Sequence, residues 1–464
     1  MKKIVALNIL SLLVLISGCK KFIDVNNDPN RPIDVQEAAI LPPIQLAISH
    51  NLNAGFASIL SQHYTQAVCL NQPVPNEGTY LLVNGQMDGD WGTTYVTCLN
   101  NLKQLINKAE TGENFAYAGI GKILSAYCYG TATDFWGDIP YSEALQGSNN
   151  FTPVYSSQSD VYQGIQSLLD AGIADLSKPS NKKPGNDDFF YRGDLNKWKK
   201  LAYTLKARYF MHLTKAGSNS AAALADQALA ALSNGMTSNE DDLKMEYSGG
   251  AGNENPWYLT FLPISTLVLS EHLVEELKDR NDPRLALLVA PAKGTGLFTG
   301  RAIGTRDVGN LEAYSIPAEF YGSAGSNHYL VNFSEALFLK AEATLTKSGA
   351  AAAQPVYQEA ILSHMTKLGL AATATEVTNY LTSRGTLSNS DALQRIMEEK
   401  STANFLNTEN WVDWRRTGFP ELVKVPNAAS EIPRRLLYPQ VEIISNPQPQ
   451  QSAKLTDRLW WDAQ

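Results

Sequence analysis

Apolar residues recur at helical spacings along 35–70, through Leu46, Leu52, Phe56, Ile59 and Leu60, with His63 continuing the series. Such spacing draws one apolar stripe along a helix. The period returns over 87–109 (Trp91, Tyr95, Leu99, Leu102), 116–133 (Ile120, Ile123, Leu124, Tyr127) and 157–176 (Val161, Ile165, Leu168, Leu169). Asp194 reads as the N-cap of a helix over 195–215, with Trp198, Leu201 and Leu205 facing inward and Gly217 as its C-cap. An alanine-rich helix over 221–232 can pack closely on it. Further helices are predicted over 263–277, 329–345, 350–368, 375–381, 390–405 and 410–416. Proline, glycine and polar clusters break the pattern at 71–78, 134–141, 178–188 and 237–262, and 279–325 is the least regular region. No alternating run is long enough to require a large sheet. The pattern predicts a mainly α fold: tetratricopeptide-like helical hairpins forming one scaffold, with loop-rich inserts and a few short strands.

The N-terminal stretch differs in kind. Met1-Lys2-Lys3 is basic, 4–16 is almost wholly apolar, and Leu15-Ile16-Ser17-Gly18-Cys19 follows. This describes a secretory signal, too short to span a bilayer, which takes about 20 apolar residues. Leu-x-Ser-Gly-Cys resembles the bacterial lipobox, in which Cys19 is lipidated and becomes the first mature residue. The expected organisation is a signal peptide over 1–18, a lipid-anchored spacer over 19–34 and a helical body over 35–464. Asp24, Asn27 and Asp28 hint at calcium, but no full EF-hand loop follows, so no metal or other cofactor is expected. Net charge is −8, which argues against nucleic acid, since phosphate binding needs a basic face. Cys69, Cys98 and Cys128 fall in stretches read as helical and are expected as buried free thiols; at most one pair among them can bridge.

Signatures of catalysis are missing: there is no Gly-x-Ser-x-Gly, His-Glu-x-x-His, Walker loop or Cys-x-x-Cys. The six histidines are scattered. The pairs Asp134/Asp138 and Asp88/Asp90 read as turn caps and ion-pair partners, although two acids facing each other are all a glycosidase needs. Aromatic rings offer another chemistry, because flat rings stack on the apolar faces of sugars. Trp91, Trp198, Trp411 and Trp414 sit in helical patterns and read as core. Tyr80, Trp257, Tyr258, Tyr314, Phe320 and Tyr321 sit in irregular stretches and are the candidate ligand contacts, burial beneath a loop being the alternative for each. Arg415-Arg416 reads as a tie between helices through buried acids.

Six stretches, in order, resemble the SusD/RagB family of nutrient-binding outer-membrane lipoproteins. They are Cys19-Lys20-Lys21-Phe22-Ile23-Asp24; Asp134-Phe135-Trp136-Gly137-Asp138-Ile139-Pro140-Tyr141-Ser142-Glu143-Ala144; and Tyr191-Arg192-Gly193-Asp194 leading to Lys197-Trp198-Lys199-Lys200. Then come Ser334-Glu335-Ala336-Leu337-Phe338-Leu339-Lys340-Ala341-Glu342-Ala343, Trp411-Val412-Asp413-Trp414-Arg415-Arg416-Thr417-Gly418, and Pro433-Arg434-Arg435-Leu436-Leu437-Tyr438-Pro439. The resemblance is to the branch with the Gly-Asp-Ile-Pro-Tyr motif. It implies an all-helical core, a loop-rich face, and non-catalytic capture of a nutrient, commonly an oligosaccharide. It implies a SusC-type TonB-dependent transporter as partner, with this chain as its cover, and a lipid-anchored place on the outer membrane facing the exterior. The motifs look like scaffold, so the resemblance carries no ligand contact over. Alternatives are the same fold binding a peptide or another nutrient, a surface glycan hydrolase, or a purely structural lipoprotein.

Overall fold

The computed structural model describes residues 35–217, 219–449 and 452–462. The signal segment, Cys19, the spacer and the Asp24/Asn27/Asp28 cluster lie outside them. The helices of nine residues or more are α1 (Glu37–Ala47), α2 (Phe56–Tyr64), α3 (Asn101–Thr111), α4 (Phe115–Trp136), α5 (Gln158–Asp175), α6 (Leu195–His212) and α7 (Ala221–Leu232). They continue as α8 (Glu271–Asp279), α9 (Phe333–Ser348), α10 (Ala350–Lys367), α11 (Thr375–Arg384), α12 (Ala392–Ala403) and α13 (Glu409–Thr417). Among the described residues, six short strands pair antiparallel in twos: β1 (Val68–Leu70) with β5 (Leu267–Leu269), β2 (Ile139–Pro140) with β3 (Tyr155–Ser156), and β4 (Leu243–Met245) with β6 (His328–Val331).

The long helices stack neighbour on neighbour: α3 on α4, α4 on α5, α5 on α6, α6 on α7, α7 on α9 and α9 on α10. Short turns enforce this. Gly349 alone separates α9 from α10, in a positive-φ conformation (φ 82°) that glycine adopts without strain. Side-chain caps set the starts, from Ser157 on α5, Asp194 on α6, Ser220 on α7 and Asn332 on α9. Helices α4 and α5 cross where both backbones are bare. A Cβ at Gly119 would sit 2.9 Å from the Gly172 carbonyl oxygen, and one at Gly172 would sit 3.0 Å from that of Gly119. The arrangement is the expected mainly helical scaffold with few short strands.

Three predicted helices give way to strand over part of their length. Cys69 lies on β1, residues 267–269 form β5 before α8, and residues 328–331 form β6 before α9. A short apolar run has no period long enough to separate strand from helix, and each of these runs finds a partner strand far away in sequence. The 195–215 helix turns to 3₁₀ geometry at Leu213–Lys215, ahead of Gly217. All three body cysteines are buried free thiols.

The core is continuous across the α3–α6 layers, and Trp91, Trp198, Trp411 and Trp414 belong to it. Buried ion pairs cross it. Arg416 binds Glu342 and Asp413, Lys400 binds Asp413 at 2.8 Å, and Arg208 binds Glu335 at 2.6 Å, so α6, α9, α12 and α13 are tied together. Among the described residues Arg415 makes no direct ion pair. It donates to the carbonyls of Trp411, Asp134 and Arg434 and lies over the rings of Trp411 and Trp461, at 3.7 and 4.8 Å. Burial, only partly offset by the charges of Asp134 and Asp462, holds its pKa down at about 10.

Candidate functional site

The recognised motifs bind one another. The Trp136 indole donates to the Leu437 carbonyl at 3.0 Å, Tyr438 donates to that of Asp138 at 2.8 Å, and Arg435 donates to that of Trp136. Asp138 accepts from the first amide of α5, Asp134 from Tyr162, Asp88 from the Val441 amide and Asp90 from the Ala57 amide. These acids are caps and struts.

The six candidate aromatics divide evenly. Tyr80 is 1% exposed and meets Tyr64 edge-on, with ring centroids 5.9 Å apart. Trp257 is 2% exposed, and its indole donates to His328 at 3.2 Å. Tyr321 is 6% exposed, and its hydroxyl lies 3.3 Å from His364. Their rings are packed by protein, so these three are corrected from ligand contacts to core. Tyr258, Tyr314 and Phe320 are half-buried. Tyr314 packs against the main core beside Gly309. Tyr258 follows Trp257 on a one-turn helix, Pro256–Thr260, capped by Asn255. Phe320 lies parallel to Tyr329, on a one-turn helix (Glu319–Gly322) that packs against the Pro256–Thr260 helix.

The Pro256–Thr260 helix also forms one wall of an open cleft of about 500 Å³. Pro256, Leu259, Thr260, Ser265 and Leu267 stand on this side. Opposite are His50 and Asn51, then Gly55, Phe56 and Ile59 of α2 and the turn before it; Leu70, Gln72 and Glu77 close the end, with His63 on the floor. His50 and Asn51 sit on a stretch of π-helix, Ile48–Leu52, whose wider turn follows directly from α1; such bulges are frequent at functional sites. Gly55 is needed there, since a Cβ would fall 2.0 Å from the Asn51 carbonyl oxygen. Gln72 is steadied by a 2.8 Å bond to Thr266, and Glu77 accepts from Gln86 at 2.9 Å. Below the cleft, His328 accepts from Trp257, so its other nitrogen carries the proton and donates to Ser49 at 3.0 Å, which in turn contacts Tyr247. That chain fixes one wall against the other. Burial holds His63 down at about 4 and lowers His50, so both present neutral imidazoles at neutral pH.

Among the described residues, the lining is therefore half-buried ring and alkyl surface, uncharged hydrogen-bonding groups and one carboxylate, Glu77. The sequence pattern missed His50, Asn51, Gln72, Thr260 and Ser265. Phe56 was visible as a stripe residue, but its half-exposure was not. The single signal available was the polar loop 71–78.

A family model described as starch-binding, associating with the outer membrane, matches residues 29–439. Among solved structures, a chitin-binding protein is 25% identical with a TM-score of 0.80, over 92% of this chain and 100% of that one. A SusD/RagB family protein from Bacteroides thetaiotaomicron is 25% identical with a TM-score of 0.77, over 92% and 99%. A chitin-binding SusD homologue from Flavobacterium johnsoniae shares the fold at 22% identity, with a TM-score of 0.75 over 92% and 96%. No curated protein matches the chain. Matched over most of its length by that family model and aligned over 92% of it with these scaffolds, the chain belongs to the SusD-like family.

Proposed function

We propose that this chain is a lipid-anchored surface receptor that holds an oligosaccharide in the cleft between α2 and the Pro256–Thr260 helix. The observation that carries the reading is the cleft's lining. Phe56, Ile59 and Leu259 offer apolar surface to the C–H faces of a sugar, while Asn51, Gln72, Thr260 and Ser265 offer neutral donors and acceptors to its hydroxyls. The family description and the chitin-binding relatives support a glycan in particular. Glu77 lacks a second lining acid to act across a glycosidic bond. Binding without turnover is the function that fits, followed by delivery to a SusC-type TonB-dependent transporter that the receptor covers. Ligand touching both proteins would favour the closed arrangement by its differential affinity.

Titration calorimetry against linear α-glucans, chitin oligosaccharides and a peptide panel tests the ligand class. Phe56→Ala is expected to weaken glycan binding by about tenfold, since loss of an apolar contact of about 1–2 kcal/mol is a factor of this order, with little change in melting temperature. Binding confined to peptides, or new reducing ends released by the pure protein, would contradict the reading. Purification from membranes without an accompanying barrel would remove the transporter from it.

A further inference from the structure

We infer that the chain carries a second carbohydrate-binding surface, a cleft walled by the parallel rings of Phe320 and Tyr329, which takes one sugar ring of a long glycan; this rests on the glycan-binding reading above. The cleft is about 530 Å³ and opens between residues 286–287, residues 318–327, Tyr329 and Leu368. The two ring centroids are 5.8 Å apart with planes 7° from parallel. Tyr329 is backed by the Lys367 ammonium, 4.9 Å from its centroid, and Lys367 is itself held by Asp242 at 2.7 Å. The orientation of Phe320 is thus set by a neighbour that cannot easily turn. A fixed ring costs little entropy on binding. Phe320 nevertheless stays half-buried, with no polar atom to explain its exposure. Around it stand Ser323, Asn327 and Glu319, within reach of sugar hydroxyls.

The surrounding loop is also fixed. The Ser326 hydroxyl donates to the carbonyls of Ser323 and Tyr321 at 2.8 and 3.1 Å, and the Ala318 amide to that of Leu288 at 2.9 Å. Asn255 joins this loop to the first cleft. Its backbone amide donates to Ala324 at 2.8 Å and its side-chain amide to Ser326 at 2.9 Å, while its side-chain oxygen caps the Pro256–Thr260 helix that walls the first cleft. Two sugar-sized surfaces on one rigid mount act differently on short and long ligands. A short ligand fills one. A polymer held at the first meets the second at high effective concentration, so affinity rises with chain length.

The test is calorimetric titration of the full chain with short and long members of the α-glucan and chitin-oligosaccharide series, for wild type, Phe320→Ala and Phe320→Leu. Leu keeps apolar volume without the flat face, so it remains informative if Ala disturbs folding. Wild type is expected to prefer the long chain by about tenfold or more. Both variants should bind the short ligand as wild type does and lose that preference. Variants that keep the preference, or a wild type that binds short and long chains equally, would overturn the second surface and leave the first cleft standing. A wild type that binds no member of either series would take down both readings.

Discussion

At the scale of residues, the loop aromatics separate by what holds their polar atoms. Trp257 has an indole proton that finds His328, and its ring meets Phe261, so it belongs to the core. Trp257→Ala is expected to cost about 3–5 kcal/mol and to lower the melting temperature with or without ligand; an unchanged melting curve would contradict this. Buried imidazoles set a second expectation. Burial holds His63 at about 4 and His328 at about 3, and depresses His364 as well, all below the ordinary value of 6.5. As pH falls below 6.5 the unfolded chain takes up protons that the folded chain refuses. Their contribution is complete above that pH and is lost progressively toward 4 and 3, each group adding a slope of up to about 1.4 kcal/mol per pH unit. Three acids act with the opposite sign: burial raises Asp90 to about 6 and raises Asp134 and Asp242 as well, so between their folded values and 3.8 they gain from acid, each offsetting one of the four depressed imidazoles, His50 included, at most. The melting temperature should therefore fall between neutral pH and about pH 5, and a level profile would refute the assignment.

At the scale of elements, long amphipathic helices were legible and their partners were not. The 3.6-residue period located α4, α5, α6 and α10, and Asp194 was readable as a cap because its side chain had a run of free amides to serve. The period failed at β1, β5 and β6, where three or four apolar residues become strand because a distant segment pairs with them. The π-helix of Ile48–Leu52 was equally invisible, since its apolar residues fit an ordinary helix; yet it presents His50 and Asn51. Close helix crossings were hidden too. Gly119 and Gly172 look like weak points in helical sequence and are instead what lets α4 meet α5. Gly119→Val should destabilise by overpacking, about 1–3 kcal/mol, read from denaturant midpoints; a neutral or stabilising result would mean that the crossing is looser than these distances say.

At the scale of the molecule, fold and family were readable because the motifs are structural: the Gly-Asp-Ile-Pro-Tyr segment and residues 433–439 clasp each other far apart in sequence. The site was less readable because clefts form where segments distant in the chain converge, and neutral polar residues in such places carry no pattern. The proposed anchor gives the prediction at this scale. Cys19→Ala should yield a body that melts as wild type does but leaves the membrane fraction, measured by fractionation in cells lacking the transporter; retention there would contradict lipid attachment. The segment 455–462 has a consequence of its own. Trp461 is wholly buried beside Arg415, and Asp462 grips Arg434. Both side chains seal an interior built by residues hundreds of positions earlier, so a chain cut before residue 461 is expected to leave that interior uncovered and to be recovered as degraded fragments rather than as a tolerated trimming.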